Sequence, residues 1–102
     1  MSSFNTNNRR GVTRVYDYAN GQKVAVGASS VQSSAVNSDE ILVHSDVACF
    51  INVGSNPTAA DSAGNLPLAA GEKFHLRVEP GQLVAVIMSS SSGSLYILPV
   101  MD

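Results

Sequence analysis

The chain has 102 residues, 44% of them hydrophobic and 14% charged, with a net charge of −2. That length fits one domain with a core that needs no staples, and the charged fraction is well below the ~25% of an average globular protein. The weak negative charge argues against a basic nucleic-acid binder, and the single cysteine, Cys49, excludes an intrachain disulfide.

Residues 1–11 are polar, with three asparagines, Arg9, Arg10 and Gly11. They read as an extended N-terminal arm without a core of its own, ahead of one domain spanning 12–102. The arm lacks the apolar stretch of a signal peptide, and no run reaches the ~18 apolar residues of a membrane span. A soluble protein made in a reducing cytosol is expected. Val12 to Tyr18 mixes β-branched and aromatic residues and predicts a first strand. Asn20-Gly21 is a hairpin-turn dipeptide, and Lys23 to Val26 predicts the second strand. The serine-rich stretch 29–38 suits a polar edge strand or a loop.

Ile41 to Ser45 and Val47 to Val53 predict two strands that pair as neighbours, with Val47, Cys49, Ile51 and Val53 on one face. Cys49 reads as a small buried hydrophobe. Residues 54–65 form a long loop, of the kind that often carries function. After a short lead-in, Leu66 to Ala69, Phe74, Leu76 and Val78 alternate with His75, Arg77 and Glu79, the period of two of a strand with one apolar face. Glu79-Pro80-Gly81-Gln82 predicts a type II turn, with proline fixing φ and glycine supplying φ > 0. It would join this strand to Leu83–Met88 as a hairpin. Leu83–Met88 and Leu95–Val100 are apolar on both faces, and Pro99, without an N–H, places the last strand at a sheet edge.

No segment of 11 or more residues keeps a helical apolar period. About eight strands with turns every 8–12 residues predict an all-β protein, a small antiparallel β-sandwich of jelly-roll-like or immunoglobulin-like form.

Chemistry-bearing patterns are sparse. His44 and His75 fall on different strands and lack a close-spaced third ligand among Asp46, Glu72 and Glu79, so no metal and no cofactor is expected. The serines lie outside any Gly-x-Ser-x-Gly setting. The glycines read as turn glycines rather than a phosphate loop. Asp39 and Glu40, adjacent on a strand, point to opposite faces. No enzyme is expected. Tyr16 and Tyr18, at i and i+2, can stack on a glycan or cover one end of the core, and the core role is favoured.

Three stretches carry a resemblance: Phe50-Ile-Asn-Val-Gly-Ser-Asn-Pro-Thr-Ala-Ala60, Leu66-Pro-Leu-Ala-Ala-Gly-Glu72 and Val78-Glu-Pro-Gly-Gln-Leu-Val-Ala-Val-Ile87. Together with a weaker Gly93-Ser-Leu-Tyr-Ile97 tail, they resemble small structural proteins of tailed bacteriophages and prophages. In that pattern a strand ends in Gly-x-Asn-Pro-Thr-Ala and is followed by a variable loop. Leu-Pro-Ala-Gly, an aromatic strand and Pro-Gly-x-x-Val-Ala-Val-Ile come next. Leu68-Ala-Ala-Gly71 departs slightly from the usual form.

The resemblance implies a non-enzymatic virion structural protein, a capsid decoration or cement protein or a head or tail accessory protein. A receptor- or glycan-binding β-module of a tail or fibre is the alternative. The expected partners are other copies of the chain, as a homo-oligomer and most plausibly a trimer, and the major capsid protein or another virion protein, with neither nucleic acid nor membrane. The both-face apolar strands motivate the trimer, because symmetric association would cover their surplus. The expected contact residues are Phe4, Arg9, Arg10 and Arg14 in the arm, and Asn56 and Pro57 in the long loop. One aromatic anchor plus charge-assisted arginine contacts would offset the entropy of ordering an arm.

Overall fold

The computed structural model describes residues 15–101. Nine strands follow in order: β1 Val15–Tyr16, β2 Gln22–Val26, β3 Val31–Gln32, β4 Glu40–Ser45, β5 Cys49–Gly54, β6 Leu66–Leu68, β7 Lys73–Arg77, β8 Leu83–Met88 and β9 Gly93–Met101. The only helical piece among the described residues is a 3-10 turn at Tyr18–Asn20. The all-β expectation holds.

The pairing pattern is nested. β5 pairs with β6, β4 with β7, β3 with β8 and β2 with β9, all antiparallel. The chain from β2 to β9 is thus one long hairpin folded back at the β5–β6 tip. Two further contacts, β4 with β9 and β5 with β8, roll that hairpin into two sheets. One sheet has five strands in the order β1-β9-β4-β7, with β2 also on β9, and the other has four in the order β3-β8-β5-β6. This is a jelly roll, which resolves the choice between the two sandwich forms.

The inner faces interlock as alternation demands. Ile41, Val43, Leu95 and Ile97 from the five-stranded sheet meet Cys49, Ile51, Val84 and Val86 from the four-stranded sheet, all at 0–1% exposure. Burial raises the Cys49 thiol pKa above its ordinary value of 9.0; a hydrogen bond with Ser45 opposes the shift and the Asp46 charge adds to it.

Rolling the hairpin overturns several local expectations. Ile41–Ser45 and the following strand are not neighbours. β4 already has β7 and β9 beside it, and β5 has β6 and β8. The residues between them turn a corner between sheets. There Ser45 Oγ donates to the Val47 carbonyl (2.6 Å), and the Asp46 carboxylate accepts from Ser94 N–H (2.8 Å).

The turn at Glu79–Gln82 has the expected type II form, with Gly81 at φ +94° and Gln82 N–H donating to the Glu79 carbonyl (3.1 Å). It does not close a hairpin, because β7 and β8 lie in different sheets. Phe74, at the sheet's edge, is 40% exposed.

The first strand ends earlier than expected, and its expected start at 12–14 lies outside the described residues. Within the described residues it covers Val15–Tyr16, and Tyr18 falls in the 3-10 turn. Asn20-Gly21 makes no hairpin: β1 and β2 both pair with β9, and Gly21 is extended at φ −64°, ψ 148°. A type I′ turn would need positive φ there. The glycine serves close approach instead, since a Cβ at position 21 would lie 2.9 Å from Leu98 Cδ2.

Pro99 is not at a sheet edge, for β9 is flanked on both sides. Its carbonyl accepts from Asp17 N–H (2.8 Å). In an antiparallel strand a residue's N–H and C=O point to the same side. The missing N–H therefore faces the interruption between β1 and β2, where no ladder bond is lost.

Candidate functional site

The outer faces of the two sheets differ. On the four-stranded sheet, Gln32, Ala85 and Asn52 stand side by side in one cross-strand row. The long loop folds over them. Gln32 Nε2 donates to Asn56 Oδ1 (2.9 Å) and to the Pro57 carbonyl (2.8 Å), and Asn52 Nδ2 donates to the Thr58 carbonyl (3.2 Å). Ser30 Oγ accepts from Ala59 N–H (2.9 Å), and Asn65 Oδ1 accepts from Ala60 N–H (3.1 Å). Pro57 and Ala59 are buried, and Ala85, although outward-pointing, is 0% exposed. The apolar surplus at Ala85 is thus covered from within the chain. Of the six expected contact residues, Asn56 is exposed but tied to Gln32 and Pro57 is buried under the loop. Phe4, Arg9, Arg10 and Arg14 lie outside the described residues.

The outer face of the five-stranded sheet has no such cover among the described residues. Register aligns Lys23 on β2, Tyr96 on β9, His44 on β4 and Lys73 on β7 in one row across the sheet. The His44 and Tyr96 rings stack at 6.1 Å and 27°, and Lys23 Nζ lies 5.7 Å from the Tyr96 ring centroid, within cation–π range. His44 Nδ1 is 3.3 Å from the Glu72 carbonyl. A carbonyl can only accept, so Nδ1 carries the hydrogen and Nε2 is left for another partner. The neighbouring row holds Leu98, Leu42 and His75.

Tyr16 and His75 close one end of this face. They sit on the two opposite edge strands, yet Tyr16 Oη and His75 Nε2 are 2.8 Å apart with rings nearly parallel (15°) at 6.0 Å. The contact spans the sheet above β9 and β4. Tyr18 packs against Tyr16 with centroids 6.1 Å apart and is itself 72% exposed. The preferred core role for Tyr16 and Tyr18 is therefore corrected: β1 presents Tyr16 to the outer face, and the 3-10 turn projects Tyr18 into solvent. Tyr18, Lys23, Leu42, His44, Lys73, Tyr96 and Leu98 line an open depression of about 470 Å³.

Charge is segregated onto this face. Lys23, Lys73 and Arg77 are all the lysines and arginines among the described residues, and each lies on it with both histidines. Arg77 is opposed by Glu40 across the strand pair and reaches Asp39 at 3.9 Å. Lys23 and Lys73 have no carboxylate within ion-pair distance among the described residues. Glu72 Oε1 accepts from Ala69 N–H (2.8 Å), and the Asp46 carboxylate from Ser94 N–H.

His75 faces outward, as its strand alternation predicts. His44 and His75 share the face, offset by one pair, and no group of three or more His, Cys, Asp or Glu among the described residues is placed to hold a metal. The sequence reading missed Tyr96, Lys23 and Lys73 as a set. Their juxtaposition depends on the registers of three strand pairs from distant parts of the chain. Among the described residues no helix is long and apolar enough to cross a membrane. The chain matches no family model, and no curated protein and no solved structure is significantly similar to it.

Proposed function

We propose that this chain is a non-enzymatic structural protein of a tailed-phage virion, a decoration or cement protein that binds the head lattice and stabilises it. The carrying observation is that the Asn-Pro-Thr-Ala loop, part of one of the three stretches that carry the resemblance, is built into the jelly roll as a lid over the four-stranded sheet. A residue pattern otherwise legible only as turns and strands thereby acquires one structural task. Phe4, Arg9, Arg10 and Arg14 remain the proposed lattice contacts. Self-association, as a trimer, belongs to the same reading. Its support is the apolar row Phe50, Ile87 and Pro67 on the four-stranded sheet, beyond the hydrogen bonds that anchor the loop.

The test is co-sedimentation of the purified chain with capsids that lack it, before and after removal of residues 1–11. Binding that weakens on truncation, with unchanged melting, is expected. Failure of the full chain to bind, or unchanged affinity and salt dependence after truncation, overturns the lattice role or the arm's part in it, respectively.

A second reading, a receptor- or glycan-binding module of a tail or fibre, is favoured by one observation. Tyr96 on the outer face of the five-stranded sheet and Tyr18 on the adjoining 3-10 turn expose their rings, with no covering segment among the described residues.

A further inference from the structure

We propose that the open face of the five-stranded sheet binds a carboxylate-bearing saccharide, with Tyr96, His44 and Tyr18 as the ring platform and Lys23 and Lys73 as the carboxylate partners. The proposal rests on the glycan-binding reading and assigns it a site and a ligand class.

A protein of net charge −2 places all its described lysines and arginines on one sheet face, and leaves two of them without a carboxylate partner among the described residues. Lys23 and Lys73 stand at the two ends of the Tyr96–His44 stack. Three strand spacings of ~4.8 Å put them about 14 Å apart. That span suits a short oligosaccharide lying across the strands, its carboxylates at the lysines and its apolar C–H faces on the rings.

The surface chemistry agrees. A saccharide ring offers a flat C–H face to an aromatic platform, and the depression of about 470 Å³ is of ligand-site size. His44 Nε2, with Nδ1 committed to the Glu72 carbonyl, is available to a hydroxyl.

The other occupants fit less well. Residues 1–14 of the same chain carry three arginines and no carboxylate, so their charge repeats that of the face instead of complementing it. A second copy docked face to face would set lysines against lysines, since a two-fold contact joins identical patches. An acidic peptide would satisfy the lysines but has less use for an open, ring-floored surface.

Calorimetric titration of the full chain decides it, with trigalacturonate, the neutral maltotriose and hexaglutamate as probes. Trigalacturonate should bind at least about tenfold more tightly than maltotriose, the two charge-assisted lysine contacts supplying the difference. Tyr96→Ala should weaken trigalacturonate binding about tenfold with unchanged melting. The double change Lys23→Ala, Lys73→Ala should bring trigalacturonate down to the maltotriose level. Equal binding of the two saccharides overturns the acidic class and leaves the glycan-binding reading standing. Equal or tighter binding of hexaglutamate overturns the saccharide in favour of an acidic protein partner. Binding of none of the three at millimolar concentration overturns both the proposal and the reading beneath it.

Discussion

On the outer face of the four-stranded sheet, the row Gln32, Ala85, Asn52 lies under the loop that follows β5, whose carbonyls and Asn56 side chain take the amide hydrogens of Gln32 and Asn52. On the outer face of the five-stranded sheet, the row Lys23, Tyr96, His44, Lys73 carries no covering segment among the described residues, and Tyr96 is 40% exposed. The two rows come from strands of the same kind in the same roll. What separates them is the side chain available to bond a passing loop. Two amides and a serine hydroxyl anchor a lid. The lysines and aromatic rings of the other row bond no covering loop among the described residues and present a surface to something else.

The strongest way to break the comparison is to enlarge the residue under the lid. Ala85→Phe has no room at 0% exposure and should destabilise by about 1–3 kcal/mol, read as a lower denaturation midpoint. Next is the turn that carries the chain from the five-stranded to the four-stranded sheet. Gly81→Val forces a β-branched residue to φ +94° and should cost about 1 kcal/mol or more. Removing the anchor alone is milder. Gln32→Ala deletes two hydrogen bonds to the loop and should cost about 1 kcal/mol, with faster amide exchange at Ala59 and Ala60 while the core strands stay protected.

The buried side gives a pH signature. The Cys49 thiol pKa is raised in the folded state, so the unfolded chain loses its proton first. Stability should therefore be unaffected below the ordinary thiol value of 9.0 and should fall as pH rises past it; Cys49→Ser should remove that part of the slope. The smallest effect belongs to the open face: Tyr96→Ala should leave stability within about 0.5 kcal/mol, because no lid and no core packing depends on an outward ring at 40% exposure. Comparable losses for Tyr96→Ala and Ala85→Phe would erase the distinction between the faces.

Much of the fold is legible in the chain because it is local. The alternation at Val24 and Val26, at Ile41 and Val43, and at Cys49 and Ile51 places the buried residues where the core has them. Pro80-Gly81 gives the turn type for the same reason. Partner choice is not local. The hairpin expected at Glu79–Gln82 and the neighbours expected at 41–53 both assume that consecutive strands pair, whereas the rolled hairpin pairs strands nested about the β5–β6 tip. Pro99 misleads likewise: its missing N–H suggests an edge strand, but it faces the break between β1 and β2 made by the Tyr18–Asn20 turn.

The candidate site was even less visible. Tyr96 sits inside the apolar run Leu95–Val100, where nothing marks it as the outward member of a row shared with Lys23, His44 and Lys73. Only the registers of β9 with β2 and β4, and of β4 with β7, bring those side chains together. The length of the loop at 54–65 marks it as a functional candidate but gives no sign that Pro57 and Ala59 turn inward.

Residue-resolved amide shift mapping, with trigalacturonate titrated into the isotopically labelled full chain, tests the contrast between the faces most directly. Shifts should concentrate at Lys23, His44, Lys73 and Tyr96, leaving Gln32, Asn52, Ala85 and residues 55–65 unmoved. Shifts centred on the lid and the four-stranded sheet, or spread without preference over both faces, would contradict it.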